Sequence, residues 1–529
     1  MSDGSRKPRK FEIRGIADIP RLHAQRTPQR RALVFEGRTS TFAQWDRRCN
    51  QVANALLASL SGEQARIAYL AKNSDRFFDL YFGAAKSRMV MTGVNWRLAP
   101  PEIRQILDDA QAEMLFVGRE YLPLVPMLRR EVPRLKQVVC IDGPGEGVDD
   151  FEAWLAPWSD ADPGFVPGID DVALQIYTSG TTGHPKGVQL SNRSLLGALE
   201  MVDQEEIGHW DENDIGLVTL PVCHVGGANF AVWTLYAGGT AVVIREANAK
   251  IVHEGFRTHP VTKIGLVPAV IQGIVDFPGA EETDFGSLDV VVYGGAPITP
   301  ELLRRATALM GPVFLQMFGM SETASTGTYL AREDHDFEHR PELLASCGKP
   351  YSHAQVKIVD ADGKEVAAGE SGEILLKGPF VMKGYWNMPE ATAKAIVDGW
   401  YHTGDAGYRD KDGYVFIRDR VKDMIITGGE NVYSAEVEQV LSLHPGVLEV
   451  AVIGVPDPKW GEAVKAVVVR RPGSTVNAEE VIAFARERIA AYKCPKSVEF
   501  AETLPRNAVG KVLKRTLREP GWASAARAN

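Results

Sequence analysis

The stretch YTSGTTGHPKGV at residues 177–188 says most about the fold and the chemistry of this chain. It follows an apolar run, and seven of the ten residues after Tyr177 are Thr, Ser or Gly. Such a loop offers backbone N–H groups and hydroxyls with little steric bulk, which suits phosphate oxygens, and Lys186 adds a positive charge. It is not a P-loop, because two residues separate its last threonine-glycine pair from Lys186. The candidate phosphate-binding residues are Thr178, Ser179, Gly180, Thr181, Thr182, Gly183 and Lys186.

Around this loop, short apolar runs alternate with helical patterns. Residues 41–60 have helical spacing of apolar side chains after a predicted N-cap at Thr41. Strands alternating with helices predict mostly parallel sheets with helices on both faces, where ligands gather beyond the carboxyl ends of strands. The predicted strands lie at residues 65–71, 114–118, 137–142, 174–180, 240–244, 263–268 and 289–295.

The pattern changes near residue 350, where short alternating strands are joined by Asp-Gly turns, as in antiparallel hairpins. Beyond residue 420, helices at 435–443 and 478–490 with two strands between them predict a small α+β unit. We therefore expect an α/β protein with two domains. Residues 1–418 form a large domain of stacked mixed and parallel sheets with a small antiparallel β subdomain, and residues 419–529 form a small, mobile α+β domain.

Composition narrows the class of protein. The chain has 529 residues, 59 Lys+Arg against 68 Asp+Glu, and a net charge of −9, which disfavours general nucleic-acid binding. Its 5 cysteines are scattered without a CxxC pair, which argues against a disulfide framework or a zinc site. With no secretory signal pattern and no apolar run long enough to cross a bilayer, we expect a cytoplasmic protein.

Seven motifs, in order, resemble those of the adenylate-forming superfamily, which includes acyl- and aryl-CoA synthetases, luciferases and peptide-synthetase adenylation domains. The first is the loop at 177–188. The others are YGGAPI (293–298), QMFGMSET (316–323), SGEILLKG (371–378), YHTGD (401–405), DRVKDMIITGGENVYSAEVE (419–438) and LPRNAVGKVLK (504–514). The resemblance covers roughly residues 20–520, and it implies an enzyme that joins a carboxylic acid to AMP from ATP, with release of pyrophosphate.

The resemblance implies a nucleotide site in the large domain. Glu322 matches the family's Mg²⁺-binding glutamate, and a hard oxygen ligand suits that cation. Phe318 and Gly319 match residues that line the adenine, with Ser321 beside them where the family often has Thr. The loop of Gly295, Ala296 and Pro297 matches the adenine-side loop, where small residues let the backbone approach.

Further roles are implied nearer the C-terminus. Asp405 matches the carboxylate that accepts the ribose hydroxyls, and Arg420 its basic partner. Lys511 matches the lysine that reaches the substrate carboxylate and the α-phosphate, and Lys422 the hinge about which the small domain swings between half-reactions. Gly428 and Gly429 would line the tunnel for the pantetheine arm of CoA. The small domain carries 16 Lys+Arg against 14 Asp+Glu, a balance that suits contact with phosphates.

His224 matches a residue near the carboxylate entrance, and it could equally be a histidine satisfied at a strand end. After it, Gly226, Gly227 and Ala228 are small, and the segment holds no carboxylate for a substrate amine, so we expect an apolar acyl pocket with spare room.

The leading hypothesis is an ATP-, Mg²⁺- and CoA-dependent acyl-CoA synthetase for a medium- or long-chain fatty acid, with a homodimer possible. Its alternatives are an aryl- or short-chain-acid CoA ligase, an enzyme that loads a separate carrier protein and, least favoured, a non-catalytic nucleotide-binding homologue. A luciferase-like oxygenase is compatible with the sequence, but no residue specifically indicates one.

Overall fold

The computed structural model describes residues 9–179, 185–420, 423–427, 430–506 and 512–519. The chain divides into two compact units. Unit 1 comprises Met1–Val356 with Leu376–Tyr401, and unit 2 comprises Lys357–Leu375 with His402–Asn529. The predicted domain boundary after residue 418 differs from this division into compact units, and it stays a prediction.

Helices and strands alternate along unit 1, as the sequence pattern predicts. The last two helices named next belong to unit 2. The helices are α1 (Asp18–Arg26), α2 (Phe42–Ser59), α3 (Asp75–Lys86), α4 (Pro100–Asp109), α5 (Val125–Glu131), α6 (Phe151–Leu155), α7 (Asn192–Asp203), α8 (Val225–Tyr236), α9 (Ala249–Thr258), α10 (Pro268–Val275), α11 (Pro300–Met310), α12 (Pro389–Ala395), α13 (Ser434–Ser442) and α14 (Ala478–Arg486).

The strands up to the centre of the chain are β1 (Arg31–Phe35), β2 (Arg38–Thr41), β3 (Arg66–Leu70), β4 (Val90–Gly93), β5 (Met114–Val117), β6 (Gln137–Cys140), β7 (Asp149–Asp150), β8 (Val172–Ser179), β9 (Pro185–Ser191), β10 (Ile215–Val218), β11 (Thr240–Val243), β12 (Lys263–Leu266), β13 (Val290–Gly294), β14 (Phe314–Phe318), β15 (Thr328–Leu330) and β16 (Lys349–Pro350). They are followed by β17 (Gln355–Val359), β18 (Gly372–Lys377), β19 (Gly384–Tyr385), β20 (Ile396–Val397), β21 (Trp400–Arg409), β22 (Val415–Arg420), β23 (Ile425–Thr427), β24 (Glu430–Val432), β25 (Val447–Asp457), β26 (Gly461–Arg470) and β27 (Ser497–Phe500).

Two large sheets with mainly parallel centres form the body of unit 1. One has nine strands in the order β16-β15-β14-β13-β12-β10-β11-β1-β2, and the other has eight in the order β19-β9-β8-β4-β3-β5-β6-β7. The parallel pairs include β12 with β13, β13 with β14 and β3 with β5. Parallel strands are buried on both faces, which explains their nearly continuous apolar runs.

Five layers follow from the alternation of side chains along the strands. On β3 and β5, Tyr69 and Phe116 face a central core shared with α2, α3, α7 and α8, whereas Leu70 and Val117 face α4 and α5 on the outside. The nine-stranded sheet contributes to the same central core and is covered on its other face by α9, α10 and α11. The mixed α/β class predicted from the sequence is therefore confirmed.

Helix α2 illustrates how local sequence fixes an element. Thr41 caps it, with its side chain accepting from the Gln44 N–H while the Gln44 side chain accepts from the Thr41 N–H. Trp45 and the next apolar residues on that face are fully buried, and the Trp45 ring lies edge-on to Phe82 of α3 with centroids 4.7 Å apart.

Unit 2 contains the small α+β sheet. Strands β25 and β26 form a long antiparallel pair, β23 and β24 extend it on one side, and β27 pairs parallel with β26. Helix α14 ends at Arg486, earlier than the predicted residue 490, and the Ala485 carbonyl there is shared between Arg488 N–H three residues on and Ile489 N–H four residues on. A smaller sheet has the order β17-β18-β21-β20 with β22 beside β21, and the division between the units falls within β17, β18 and β21.

Within the described ranges, no helix is both long and apolar enough to span a membrane. The five cysteines, all of which lie in those ranges, are buried and form no disulfide with one another.

Candidate nucleotide site

The predicted phosphate loop joins two strands of an antiparallel hairpin. Strand β8 leads into it and β9 leads out, and their register sets Thr178 opposite Lys186. The candidates Gly180, Thr181, Thr182 and Gly183 lie outside the described residues. The hairpin therefore brings the first and last predicted phosphate ligands, Thr178 and Lys186, side by side.

Glu322 lies in a single 3₁₀ turn, Ser321–Thr323, just after β14, and it is 9% exposed. Its Oε1 accepts a hydrogen bond of 3.0 Å from the Tyr385 hydroxyl, and its backbone carbonyl accepts one of 2.8 Å from Met382 N–H. Burial, and next the Glu322 carboxylate itself, raises the pKa of Tyr385, so the phenol keeps its proton and remains the donor.

Tyr385 also links this turn to the hairpin. Strand β19 pairs with β9, and the Lys186 ammonium lies 4.8 Å from the centroid of the Tyr385 ring. The attraction between a cation and an aromatic face orients the lysine. Lys186, Tyr385 and Glu322 thus form one continuous chain of contacts within unit 1.

The backbone after Glu322 makes an unusual turn. Ala324 and Ser325 have φ values of 49° and 63°, in the left-handed region that L-residues disfavour by roughly 1–2 kcal/mol each. The turn folds back over Gly319, where a Cβ would lie 2.4 Å from the Ser325 carbonyl carbon, so only glycine fits there. Ser325 N–H closes the turn by donating to the Met320 carbonyl at 2.9 Å.

Other predicted residues of the large domain meet at one sheet edge. Gly295, Ala296 and Pro297 follow β13 and are exposed, while Phe318 ends the neighbouring strand β14. His224 comes shortly after β10, which is parallel to β12 in the same sheet, and it stands at the N-cap of α8. The carboxyl ends of these parallel strands form the edge at which α/β folds bind ligands.

The donor set around Glu322 fits a magnesium ion held mainly by substrate. Within the described residues, Oε2 of Glu322 accepts no hydrogen bond, and no cluster of three or more His, Cys, Asp or Glu occurs. Mg²⁺ commonly binds through one or two carboxylates, phosphates and water. A lone, anchored carboxylate near a phosphate cradle matches that preference.

Unit 2 holds the second predicted carboxylate. Asp405 and Arg420 face each other across the β21–β22 hairpin, and Arg420 Nε lies 2.8 Å from Asp405 Oδ1. Asp405 is 5% exposed, and its N–H donates to the Thr403 hydroxyl at 3.0 Å. The ion pair predicted from the motifs is therefore present.

Helix α8 departs in part from the expected roomy pocket. A Cβ at Gly227 would lie 2.4 Å from the Pro221 carbonyl oxygen, so this glycine serves close packing and leaves no space. Phe230 and Trp233 are core residues that pack against Trp210, with ring centroids of 5.7 and 6.3 Å to Trp210.

A different cleft of about 570 Å³ lies at the ends of β1, β5 and β6. Three of its four arginines, Arg38, Arg76 and Arg245, are paired with carboxylates, whereas the Arg119 guanidinium donates to the backbone carbonyl of Asp142 at 2.8 Å. Because most of this positive charge is already compensated, the cleft offers less to a polyphosphate than the hairpin does.

The remaining predicted residues of the C-terminal domain, Lys422, Gly428, Gly429 and Lys511, lie outside the described residues. Conversely, Tyr385 was missed by the sequence reasoning, although it follows a glycine just after the SGEILLKG motif. Its role depends on the pairing of β19 with β9, which no local pattern indicates.

Comparison with known proteins agrees with the motifs. The sequence model of the AMP-binding enzyme matches residues 21–386, and that of the AMP-binding enzyme C-terminal domain matches residues 436–511. A fatty acid–[acyl-carrier-protein] ligase, ScoC, from Streptomyces coeruleorubidus is 39% identical over 98% of both chains. A feruloyl-CoA synthase from an Amycolatopsis species is 38% identical over 95% of this chain and 98% of its own. A solved Mycobacterium tuberculosis fatty acyl CoA synthetase has a TM-score of 0.78 and 33% identity over 97% of this chain and 99% of its own.

Proposed function

This chain belongs to the AMP-binding enzyme family, and from that premise we propose that it activates an apolar carboxylic acid with ATP and Mg²⁺ and transfers the acyl group to CoA. It is an AMP-forming acid–thiol ligase of the acyl- and aryl-CoA ligase type. The observation that carries the proposal is the chain of contacts from Lys186 through Tyr385 to Glu322, beside the Thr178 end of the hairpin.

In the first step, a carboxylate oxygen of the acid attacks the α-phosphorus of ATP. The bond between that phosphorus and the bridging oxygen breaks, so pyrophosphate leaves and acyl-AMP remains. Thr178 and Lys186 hold phosphate oxygens, and Glu322 would hold Mg²⁺, which would supply positive charge beside the phosphates. Lys511, by resemblance, bridges the acid and the α-phosphate.

The rest of the nucleotide is held on two sides. Phe318 offers an aromatic face to the adenine, and the loop after β13 offers exposed backbone. Asp405 accepts the ribose hydroxyls, with Arg420 fixing its orientation through the 2.8 Å ion pair.

In the second step, the CoA thiolate attacks the acyl carbonyl of acyl-AMP, and AMP leaves. One active site then needs two nucleophiles in turn, so the small domain rotates about Lys422 and withdraws Lys511. By resemblance, Gly428 and Gly429 would line the tunnel for the pantetheine arm, where only glycine allows close passage.

The acid most favoured is a medium- or long-chain fatty acid. Helix α8 is apolar, and its segment from His224 to Trp233 carries no charged residue that would pair with a charged substrate tail. The names of the fatty acid ligase and fatty acyl CoA synthetase relatives favour a fatty acid, while the feruloyl-CoA synthase keeps an aryl acid as the alternative.

A carrier protein is the second candidate acceptor. The specific observation is that the ligase ScoC, whose name gives acyl-carrier protein as its acceptor, matches 98% of this chain. Both acceptors present the same phosphopantetheine thiol, so the chemistry of the second step is unchanged.

The test is a panel of fatty, aryl and short-chain acids with ATP and Mg²⁺, scored for AMP formation with free CoA and with a phosphopantetheinylated carrier protein. We expect CoA-dependent AMP formation to be greatest with fatty acids. AMP formation only with the carrier establishes the second candidate. If none of the acids in the panel supports pyrophosphate release, neither candidate holds and the chain is a non-catalytic homologue.

A further inference from the structure

Asn229 is a polar residue in an apolar helix. It lies in the second turn of α8, is 2% exposed, and its Nδ2 donates a hydrogen bond of 2.8 Å to the carbonyl of Ala324. Its helical neighbours on either side, Ala228 and Phe230, are buried and apolar. Because a buried amide is costly unless it is hydrogen-bonded, this residue has a specific partner rather than a packing role alone.

The partner is the strained turn that follows Glu322. Ala324 and Ser325 both have positive φ, and they come directly after the 3₁₀ turn Ser321–Thr323. The Asn229 amide satisfies the carbonyl of the first strained residue, and the Thr326 hydroxyl is only a distant second donor at 3.4 Å. Holding that carbonyl holds the turn in its left-handed conformation, and with it the backbone of Glu322.

The first turn of the same helix carries the residues predicted for the acid entrance. Asn229 lies one turn after Gly226, so both lie on one face of α8, and His224 is the N-cap. At Gly226 a Cβ would meet only Leu220 Cδ1 at 3.6 Å, so this first turn borders open space. A single helix therefore carries the acid end of the site and the hydrogen bond to the metal end.

We propose that Asn229 is a positioning residue for Glu322, and that α8 connects the acid-binding end of the site to the metal-binding carboxylate. The inference rests on the proposed function for the role of Glu322. Asn229 touches neither substrate nor metal and acts by keeping the Ala324–Ser325 turn in place.

The test measures ATP binding to the full-length protein by calorimetry, without any acid, with Mg²⁺ and with EDTA. We expect Asn229→Ala to weaken the Mg²⁺-dependent affinity about tenfold, because one buried carbonyl loses its donor, and to leave the metal-free affinity unchanged. Asn229→Leu, which keeps the branched shape of the side chain but has no N–H, gives the same loss. Thr234→Val is the matched control, since the Thr234 hydroxyl is buried in the same helix and bonds only the Phe230 carbonyl, and it leaves both affinities unchanged.

Rescue separates positioning from packing. Glycine adopts a positive φ freely, so adding Ala324→Gly to Asn229→Ala restores most of the Mg²⁺-dependent affinity if the amide serves to hold the turn. Equal losses with and without metal, or no rescue in folded protein, overturn the proposal. If Asn229→Ala does not fold, Asn229→Leu with and without Ala324→Gly decides the question.

The proposed function fails separately. Wild-type protein that releases no pyrophosphate with any acid overturns the proposed function while the binding test still reports on Asn229. Wild-type protein whose ATP affinity is indifferent to Mg²⁺ overturns the role of Glu322 and this inference with it.

Discussion

Glu322 in unit 1 and Asp405 in unit 2 are both buried carboxylates that follow a strand or lie in one, but their partners differ in charge. Glu322 accepts from the neutral hydroxyl of Tyr385 at 3.0 Å, whereas Asp405 pairs with the charged guanidinium of Arg420 at 2.8 Å. A neutral donor orients a carboxylate and leaves its negative charge available, while a cation orients it and compensates that charge.

The difference supports the roles proposed for the two carboxylates. A carboxylate whose charge is available suits a divalent cation, and one whose charge is compensated suits uncharged hydroxyl donors. Glu322 is thus the better magnesium ligand and Asp405 the better ribose acceptor, and variants of the two should fail in different ways.

The largest effect is expected for Glu322→Gln, which keeps an acceptor for Tyr385 and removes the charge. We expect acid-dependent pyrophosphate release to fall about 10²–10³-fold, a loss of electrostatic stabilisation at the phosphates, measured as kcat over a series of Mg²⁺ concentrations. Glu333→Gln removes the same charge from an exposed turn of the same unit and is the control. Equal activity of the two variants would show that Glu322 holds no metal.

Asp405→Asn comes next and should affect the nucleotide rather than the metal. Loss of charged hydrogen bonds to the ribose should raise KM for ATP about 10–100-fold and leave the Mg²⁺ dependence unchanged. Wild-type enzyme should also discriminate against 2′- or 3′-deoxy-ATP, and the variant should lose that preference. Asp362→Asn, in an exposed turn of unit 2, serves as the control; unchanged discrimination in Asp405→Asn contradicts the ribose role.

Tyr385→Phe removes only the hydroxyl and retains the ring beside Lys186. A hydrogen bond from a hydroxyl to a carboxylate is worth about 1.5 kcal/mol, so we expect the Mg²⁺ concentration for half-maximal activity to rise about tenfold. KM for ATP at saturating Mg²⁺ should change little. A larger effect on ATP than on Mg²⁺ would place Tyr385 at the nucleotide instead.

Asp203 is a third buried carboxylate, with no role in the proposed reaction, for comparison with Glu322 and Asp405. Among the described residues it forms no ion pair. It is 3% exposed and accepts from the Lys10 N–H at 3.0 Å and the Tyr236 hydroxyl at 2.8 Å, and burial raises its pKa. The folded state therefore disfavours its ionised form, a cost that is absent below the unfolded pKa and complete above the folded pKa.

Replacing Asp203 with Asn removes that cost without adding a charge. Asp203→Asn should hence stabilise the folded protein more at pH 7 than at pH 4, as measured by thermal unfolding at both pH values. This is the smallest effect of the four predictions. A gain that is greater at pH 4 would reverse the sign and show that the folded state stabilises the ionised form.

Much of the fold was predictable because the helix caps, strands and turns depend on residues that are close in sequence. The Thr41 cap, the apolar runs of the parallel strands and the hairpins after residue 350 depend on residues near one another in sequence. The end of α14 was predicted too late, since the helix ends in backbone bonds that Arg488 and Ile489 share at the Ala485 carbonyl, which no side-chain pattern records.

The site was predictable where motifs carry it and hidden where distant strands meet. The Asp405–Arg420 pair and the place of Glu322 after β14 followed from the motifs. Tyr385 and Asn229 did not, because each acts on Glu322 or its turn across a long separation in sequence. Gly227 was misjudged as spare room, since glycine marks open space and close approach alike.

The burial of all five thiols has a practical consequence for anyone who assays this protein. Cys49, Cys140, Cys223, Cys347 and Cys494 are each at most 2% exposed, and burial raises the pKa of Cys223 to about 12. Thiolates are the reactive form, so the folded chain is nearly silent to a colorimetric thiol reagent. The disappearance of the CoA thiol can therefore be followed directly in the reaction mixture, and any slow rise in colour from the protein itself reports the fraction of molecules that have unfolded.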